Sequence, residues 1–344
     1  MPIFVIKKSS FWLNMDFRTK VELPLGTAEI RHDEQILVFG SCFSEHIGSK
    51  LLSSKFLCDL NPFGVLYNPL SIAKTLRELS DGKLYKEEDL VSRNGLWHSW
   101  MHHGSFSMPS VRDCLEKINS RMVCSATNLA QASWLLITWG TAWVYEKNED
   151  GQIVGNCHKF PEKIFSRRLL EVNEIVSVYT VLITDLRTRF SDKTLKILFT
   201  ISPVRHVKDS MHGNQISKSV LQLAVHQLCS RIPDCYYFPS YEIMMDELRD
   251  YRFYAEDMIH PSGVAVDYIW QCFSESYFSS DTMKLIEAIG KIRKALEHRP
   301  FYPDSPSYYQ FISQNLLKIQ ELKEKFPYLD VQNEITLCQA ILKK

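Results

Sequence analysis

The stretch "ILVFGSCFSEHIGSKLL", residues 36–52, decides how the rest of the chain is read. Four apolar residues, Ile36 to Phe39, have the length and character of a buried strand. Gly40 permits a sharp exit because it carries no Cβ. The residues after it alternate in a helical period. Ser41 and Cys42 therefore fall at the carboxyl end of a strand and the amino end of a helix. Open parallel sheets bind ligands at such strand ends. A helix amino end also offers free N–H groups and partial positive charge. That setting is expected to lower a cysteine pKa and favour the thiolate. The plainer alternative is a junction in which two small residues let a strand pass into a helix.

Working outward, further apolar runs have strand length: "QILVFG" at 35–40, "SWLLITWG" at 133–140, "LKILFTIS" at 195–202 and "CYYFP" at 235–239. Helical patterns lie between them, at 172–190 and 216–231. Alternation of this kind predicts βαβ units and a mostly parallel sheet. Residues 81–132 read as less regular and include "NGLWHSWMHHGSFSMPS". The segment 145–165 is also irregular, with "NEDG" predicted as a hairpin turn between short strands. Beyond about residue 280 the pattern becomes helical, with Leu285, Ile289, Ile292 and Leu296 on one face, then Leu316, Ile319 and Phe326. The expected organisation is an N-terminal extension or arm over 1–15, an α/β domain over 16–280 and a helical appendage over 281–344. The appendage is expected to pack on the main domain or on another subunit, the latter giving a homo-oligomer.

Composition excludes several classes. Forty basic residues balance forty acidic ones, so no charge footprint points to nucleic acid or an anionic membrane. No apolar run approaches the ~18 residues of a membrane span. Nine scattered cysteines, an odd number without a C-x-x-C pair, argue against a disulfide framework and a zinc ribbon. A cytoplasmic, reducing location fits this usage. The N-terminus lacks the order of charge, apolar core and cleavage site of a signal peptide, and Met15 opens a stretch that reads as a natural start.

A second polar clue is "AEDMIHPSG", where Asp257 and His260 stand three apart. A carboxylate at that spacing can orient an imidazole from behind and stabilise the imidazolium. Alone, the pair reads more readily as a capping Asp and a surface His. In a doubly wound sheet, however, a turn after the first strand and a loop after the last can meet at the carboxyl face.

With these residues in view, the chain resembles the GSCFA-domain proteins, whose motif stands here as Gly40-Ser41-Cys42-Phe43-Ser44, with Ser for the final Ala. The resemblance covers about residues 16 to 275 and includes "NPFGVLYNPLSIA", "GLWHSWMHHGSF", "ITWGTAWVYE", "GNCHKFP", "SPVRHVKDSMHGNQISKS" and "DMIHPSG". Such proteins look like members of the SGNH, or GDSL-like, hydrolase superfamily. That likeness implies a three-layer α/β/α flavodoxin-like domain and an esterase using a Cys/Ser-His-Asp triad, with no cofactor or metal. The superfamily's first block, aligned without a gap, puts the nucleophile on Cys42; a one-residue slip puts it on Ser41. His260 would be the base and Asp257 its orienter. The block supplying an oxyanion glycine falls on Gly64. The G-x-N-D block falls on Gly140-Thr141-Ala142-Trp143, so its asparagine is replaced by Ala142. A second oxyanion donor must then come from the Thr141 hydroxyl, the Asn61 or Asn68 side chain, or the backbone at Phe43.

Other polar residues are candidates for substrate contact: Arg205, His206, His212 and Asn214 for a carboxylate or phosphate, and His102, His103, Asn156 and His158 as walls. The His and Cys spacings there match no standard zinc pattern. Trp134, Trp139, Trp143 and Trp270 read as packing. The expected substrate is a small-molecule or carbohydrate ester. Two alternatives stand beside hydrolysis: acyl transfer to a sugar or other alcohol, and a binding module that kept the scaffold without turnover.

Overall fold

Burial along the strands alternates with period two, and each parity faces a different helix layer. In β1 (Gln35–Gly40), Leu37 and Phe39 point to one core and Ile36 and Val38 to another. The same division holds in β5 (Ala132–Trp139), where Leu135, Ile137 and Trp139 oppose Trp134 and Leu136. A strand buried on both faces reads as a continuous apolar run, which explains why these strands were legible. The structure, a computed structural model, describes residues 18–192 and 194–343. The arm expected over 1–15 lies outside them.

Between β1 and β5 run α1 (Cys42–Ser53), β2 (Cys58–Leu60), α2 (Pro69–Ser80), the hairpin β3 (Leu90–Arg93) and β4 (Leu96–Ser99), and α3 (Val111–Gln131). A three-stranded antiparallel excursion follows: β6 (Trp143–Lys147), β7 (Ile153–Val154) and β8 (Phe165–Leu169). Then come α4 (Val172–Arg189), β9 (Lys196–Ile201), α5 (Ser210–Arg231) and β10 (Cys235–Phe238). A short turn, α6 (Ser240–Glu242), leads to α7 (Gly263–Tyr277), α8 (Ser280–Glu297), α9 (Pro306–Lys325) and α10 (Gln332–Leu342).

The central sheet has the order β2-β1-β5-β9-β10, every neighbouring pair parallel. Helices α2 to α5 cover one face and α1 and α7 the other, giving three layers. Strand order reverses between β1 and β5, and ligand crevices open at such a reversal. The "NEDG" turn joins β6 to β7 as expected.

Several elements escaped notice in the sequence, among them α2, the β3–β4 hairpin, α3 and β2. The 21-residue α3 falls in the segment read as irregular. Its buried residues Cys114, Ile118, Met122, Ser125 and Leu129 form a stripe only one residue wide, with polar residues around it. The three-residue edge strand β2 is too short for any period to show.

The C-terminal helices hold a core of their own, built on Leu285, Ile289 and Ile292 of α8, Ile312 and Ile319 of α9, and Cys338 of α10. Where one terminal helix was expected after the prolines, two are present. They dock on the α/β body through the Lys55–Glu334 ion pair at 2.7 Å and the rings of His32 and Tyr328, 5.6 Å apart.

Candidate active site

Gly40 shows why the turn after β1 has its sequence. Its φ is +145°, and a Cβ placed there would lie 2.3 Å from the Thr138 carbonyl oxygen on β5. Only glycine fits, and the chain bends directly into α1. Ser41 takes the N-cap position without a side-chain capping bond. Its hydroxyl is buried and has no hydrogen-bond partner. Cys42 follows as the first helical residue, half-buried, with the Phe43 N–H near enough to favour its thiolate.

Both residues line a cavity of about 600 Å³ at the carboxyl end of the sheet. His260 lines it too. The imidazole Nδ1 lies 2.6 Å from Asp257 Oδ2. Asp257 Oδ1 accepts the backbone N–H groups of Ile259 and His260, each at 2.9 Å. These backbone bonds, with the imidazole, pull the Asp257 carboxyl down to about 2. Among the described residues nothing hydrogen-bonds His260 Nε2, so that nitrogen is left to the cavity. The loop bearing the pair is closed by Ala255 N–H to His260 O at 2.8 Å and Ser262 N–H to Phe253 O at 2.8 Å.

The expected fall in the Cys42 pKa is not found. Burial pushes the thiol up, and this outweighs the Phe43 N–H and the positive charge of Lys218 that pull it down. The helix amino end acts in the expected direction but is the smaller effect.

The oxyanion candidates separate. Gly64 does not line the cavity, and its N–H is taken by Asn61 O at 2.8 Å. Its φ of +76° and its packing against His103 Cβ account for the glycine instead. Asn61 is also structural: its Oδ1 accepts Gly40 N–H at 3.0 Å. Thr141 lines the cavity, but its hydroxyl is shared with Ser217 at 3.1 Å and accepts Trp143 N–H at 3.1 Å. Gly140 and Thr141 both give their N–H groups to Tyr67 O. Ala142 is fully buried behind them, its N–H on Ser217 Oγ. Asn68 does line the cavity while capping α2, Oδ1 accepting Ser71 N–H at 2.8 Å and Nδ2 giving one N–H to Ser71 Oγ at 2.9 Å. Among the described residues, the donors left near Cys42 are its own N–H, the Phe43 N–H and the second Nδ2 hydrogen of Asn68.

Of the predicted substrate contacts, Arg205, His206 and Asn156 line the cavity. Arg205 stacks on Tyr254 at 4.4 Å, donates to Met258 O and places its N–H on Ile259 O at 3.3 Å. It thereby holds the loop of Asp257 and His260. The His206 Nδ1 lies 3.3 Å from Asp209, while its Nε2 is buried without a partner. Burial drives this imidazole down to about 4, so it is neutral at pH 7.

Five predicted contacts lie elsewhere. His212 is exposed on the first turn of α5. Asn214 is buried and fixes the loop by accepting His206 N–H at 3.2 Å. His102 is buried against Phe63, ring centroids 4.4 Å apart. His103 caps a short 3-10 turn, and His158 bonds Ser99 O at 2.8 Å while stacking on His98 at 4.4 Å. These imidazoles brace the inserted hairpins.

The cavity has a wall that the sequence reading did not single out. Trp143, read as packing, lines it with Tyr145, Arg167, Lys208 and Asp209. Arg167 grips Asp209 with both nitrogens and lies 4.4 Å over the Trp143 ring. Lys208 donates to Tyr145 OH at 2.8 Å and to Glu162 at 3.0 Å. Lys208 and Asp209 stand inside "SPVRHVKDSMHGNQISKS", so their place beside an apolar strand was the available signal. A second cavity, of about 660 Å³, is lined by Lys74, Glu78, Lys83, Asp89 and Asp150 among others. Its charges pair with one another, as Lys83 does with Glu78 and Asp89, and it holds neither His260 nor Cys42. Among the described residues no group of three or more His, Cys, Asp or Glu side chains is placed to hold a metal ion.

Fold and site together define a three-layer α/β/α protein with a parallel sheet and a crevice at its topological reversal, where a thiol and an aspartate-backed imidazole share one cavity. The GSCFA family matches residues 35–273, and the C-terminal domain of GSCFA domain proteins matches residues 289–344. The chain belongs to the GSCFA family. No curated protein and no solved structure matches it.

Proposed function

We propose that this protein is an SGNH/GDSL-like esterase that cleaves an acyl ester through Cys42, His260 and Asp257. The observation that carries the reading is the Asp257–His260 contact of 2.6 Å on the wall of the same 600 Å³ cavity that Cys42 lines. The parallel order β2-β1-β5-β9-β10, a 2-1-3-4-5 arrangement, supports the superfamily assignment. In this reading His260 Nε2 takes the thiol proton as sulfur attacks the ester carbonyl. The Phe43 N–H, aided by Asn68, receives the oxyanion. The alcohol leaves with the proton from His260, and water then releases the acid from the thioester. Cys42 is preferred over Ser41 because the serine hydroxyl is buried and the thiol is the more open of the two.

A second reading, acyl transfer to an alcohol, draws support from a second imidazole. His206, backed by Asp209, lines the same cavity and would form a neutral wall for an acceptor alcohol, its Nε2 being buried. Nine free cysteines favour a cytoplasmic setting, and no helix among the described residues is long and apolar enough to cross a membrane.

The test is release of p-nitrophenol from short acyl esters, with added alcohols to separate transfer from hydrolysis. The wild type is expected to turn over, and His260→Ala to lose at least about 100-fold, the lower range for a general base. A wild type without turnover on any acyl ester would leave only a binding module.

A further inference from the structure

Lys218 is a lysine on the apolar stripe of α5, in line with Leu221, Val225 and Leu228. It is fully buried and does not line the cavity. Its ammonium donates to Gly140 O and Ser202 O, both at 2.7 Å. Those carbonyls end β5 and β9, so Lys218 ties together the two strand ends beside the nucleophile turn. A Cβ on Gly140 would lie 3.5 Å from Ser41 Cβ, which places this tie directly against that turn. No carboxylate pairs with Lys218 among the described residues, and its third N–H has no acceptor. A buried cation without a counter-ion is expensive. Such a group points to an anion that forms nearby during function.

We propose that Lys218 is a positioning residue whose buried ammonium is the counter-charge for the Cys42 thiolate. The inference rests on Cys42 being the nucleophile. Lys218 moves no proton: the S–H bond breaks, the new N–H bond forms at His260 Nε2, and the ammonium keeps all three hydrogens. The coupling runs both ways, Lys218 pulling the thiol down and Cys42 holding the lysine up. With burial working against its charge, Lys218 falls to about 7 in the resting protein. A thiolate beside it favours the form that is already protonated. The groups that act on the thiol are Glu45 on its own helix, Tyr67 from the loop after β2 and Lys218 from α5, with His260 on the wall of the same cavity. Those facing the ammonium are Cys42, His206 and the Tyr241 ring, 5.6 Å away.

Alkylation reads this charge without requiring turnover. Cys42 is labelled with neutral iodoacetamide or anionic iodoacetate between pH 6 and pH 9 and followed by peptide mass spectrometry. The exposed Cys124 serves as internal reference. A neighbouring cation speeds the anionic reagent relative to the neutral one. The iodoacetate-to-iodoacetamide ratio at Cys42 is expected to exceed that at Cys124 several-fold, in the wild type and in His260→Ala alike. In Lys218→Met the ratio should drop to that of Cys124. The alkylation midpoint should rise by about one pH unit, a rate about tenfold lower at pH 7. A wild-type ratio equal to that of Cys124 overturns the proposal, whether or not Lys218→Met folds. So does a folded Lys218→Met protein with an unchanged profile. Loss of esterase activity with the alkylation preference intact would instead count against the function and leave Lys218 as assigned.

Discussion

Ser41→Ala and Cys42→Ala, made side by side, separate the two candidate nucleophiles by stability as well as by rate. The Ser41 hydroxyl is buried and unpaired. Leaving such a group without a partner costs about 1–3 kcal/mol. Ser→Ala at an N-cap ordinarily loses about 1 kcal/mol, but Ser41 makes no capping bond, so that loss does not apply. Removing one oxygen leaves a void of roughly 15 Å³, about 0.4 kcal/mol at the usual cavity coefficient. The balance is a gain of about 1 kcal/mol, or about 2 °C in Tm for a domain of this size. Ser41→Ala is therefore expected to be slightly more stable in urea and thermal unfolding and to keep esterase activity within a few-fold. Cys42→Ala should fold normally and lose at least about three orders of magnitude in kcat/KM. An inactive Ser41→Ala beside a working Cys42→Ala would make Ser41 the nucleophile, and a loss of about 1 kcal/mol or more in Ser41→Ala would mean that its hydroxyl has a partner.

Asp257→Asn should leave the fold intact and cut kcat far more than it changes KM, since an amide can accept from the imidazole but cannot stabilise imidazolium; equal changes in both would point to a substrate-binding role. The depressed Asp257 carboxyl, at about 2, contributes stability present above pH 4 and lost as pH falls through 2, so acid titration of the Asn variant should lack that component. His102 is the opposite ion type: burial lowers it to about 3, the unfolded chain takes up the proton first, and stability is whole above about pH 6.5 and declines towards pH 3. His102→Phe, which keeps the stack on Phe63, should flatten that decline by up to about 1.4 kcal/mol per pH unit in urea titrations at pH 4 to 6; an unaltered slope would show that His102 is not its source. Gly40→Ala puts a methyl 2.3 Å from the Thr138 carbonyl at a φ of +145° and should lower stability by at least about 3 kcal/mol; a loss under 1 kcal/mol would mean the turn can open.

The site was partly legible because some of its signals are local. Asp257 and His260 are three residues apart, and their geometry depends on one short loop whose backbone N–H groups they use themselves. The turn at Gly40 was legible for the same reason. Gly64 was legible as a special glycine, but its purpose was not, because its N–H is claimed by Asn61 and its missing Cβ makes room for His103, some forty residues on. Trp143, Arg167 and Lys208 come from separate elements and became a wall only when the β6–β8 excursion folded over the sheet end. Lys218 left a trace, a charge on an apolar stripe, but a stripe does not say which carbonyls its ammonium meets.

By itself, the sequence determined the architecture: strands buried on both faces must read as apolar runs, and helices between them force a parallel sheet. It also determined which turn leaves the first strand and which imidazole has a carboxylate behind it, since those contacts are made within a few residues. Only the tertiary structure decided what shares the cavity, which N–H groups remain free near Cys42, and that burial rather than the helix end governs its thiol. Desolvation and hydrogen-bond competition depend on everything packed around a group, most of it distant along the chain.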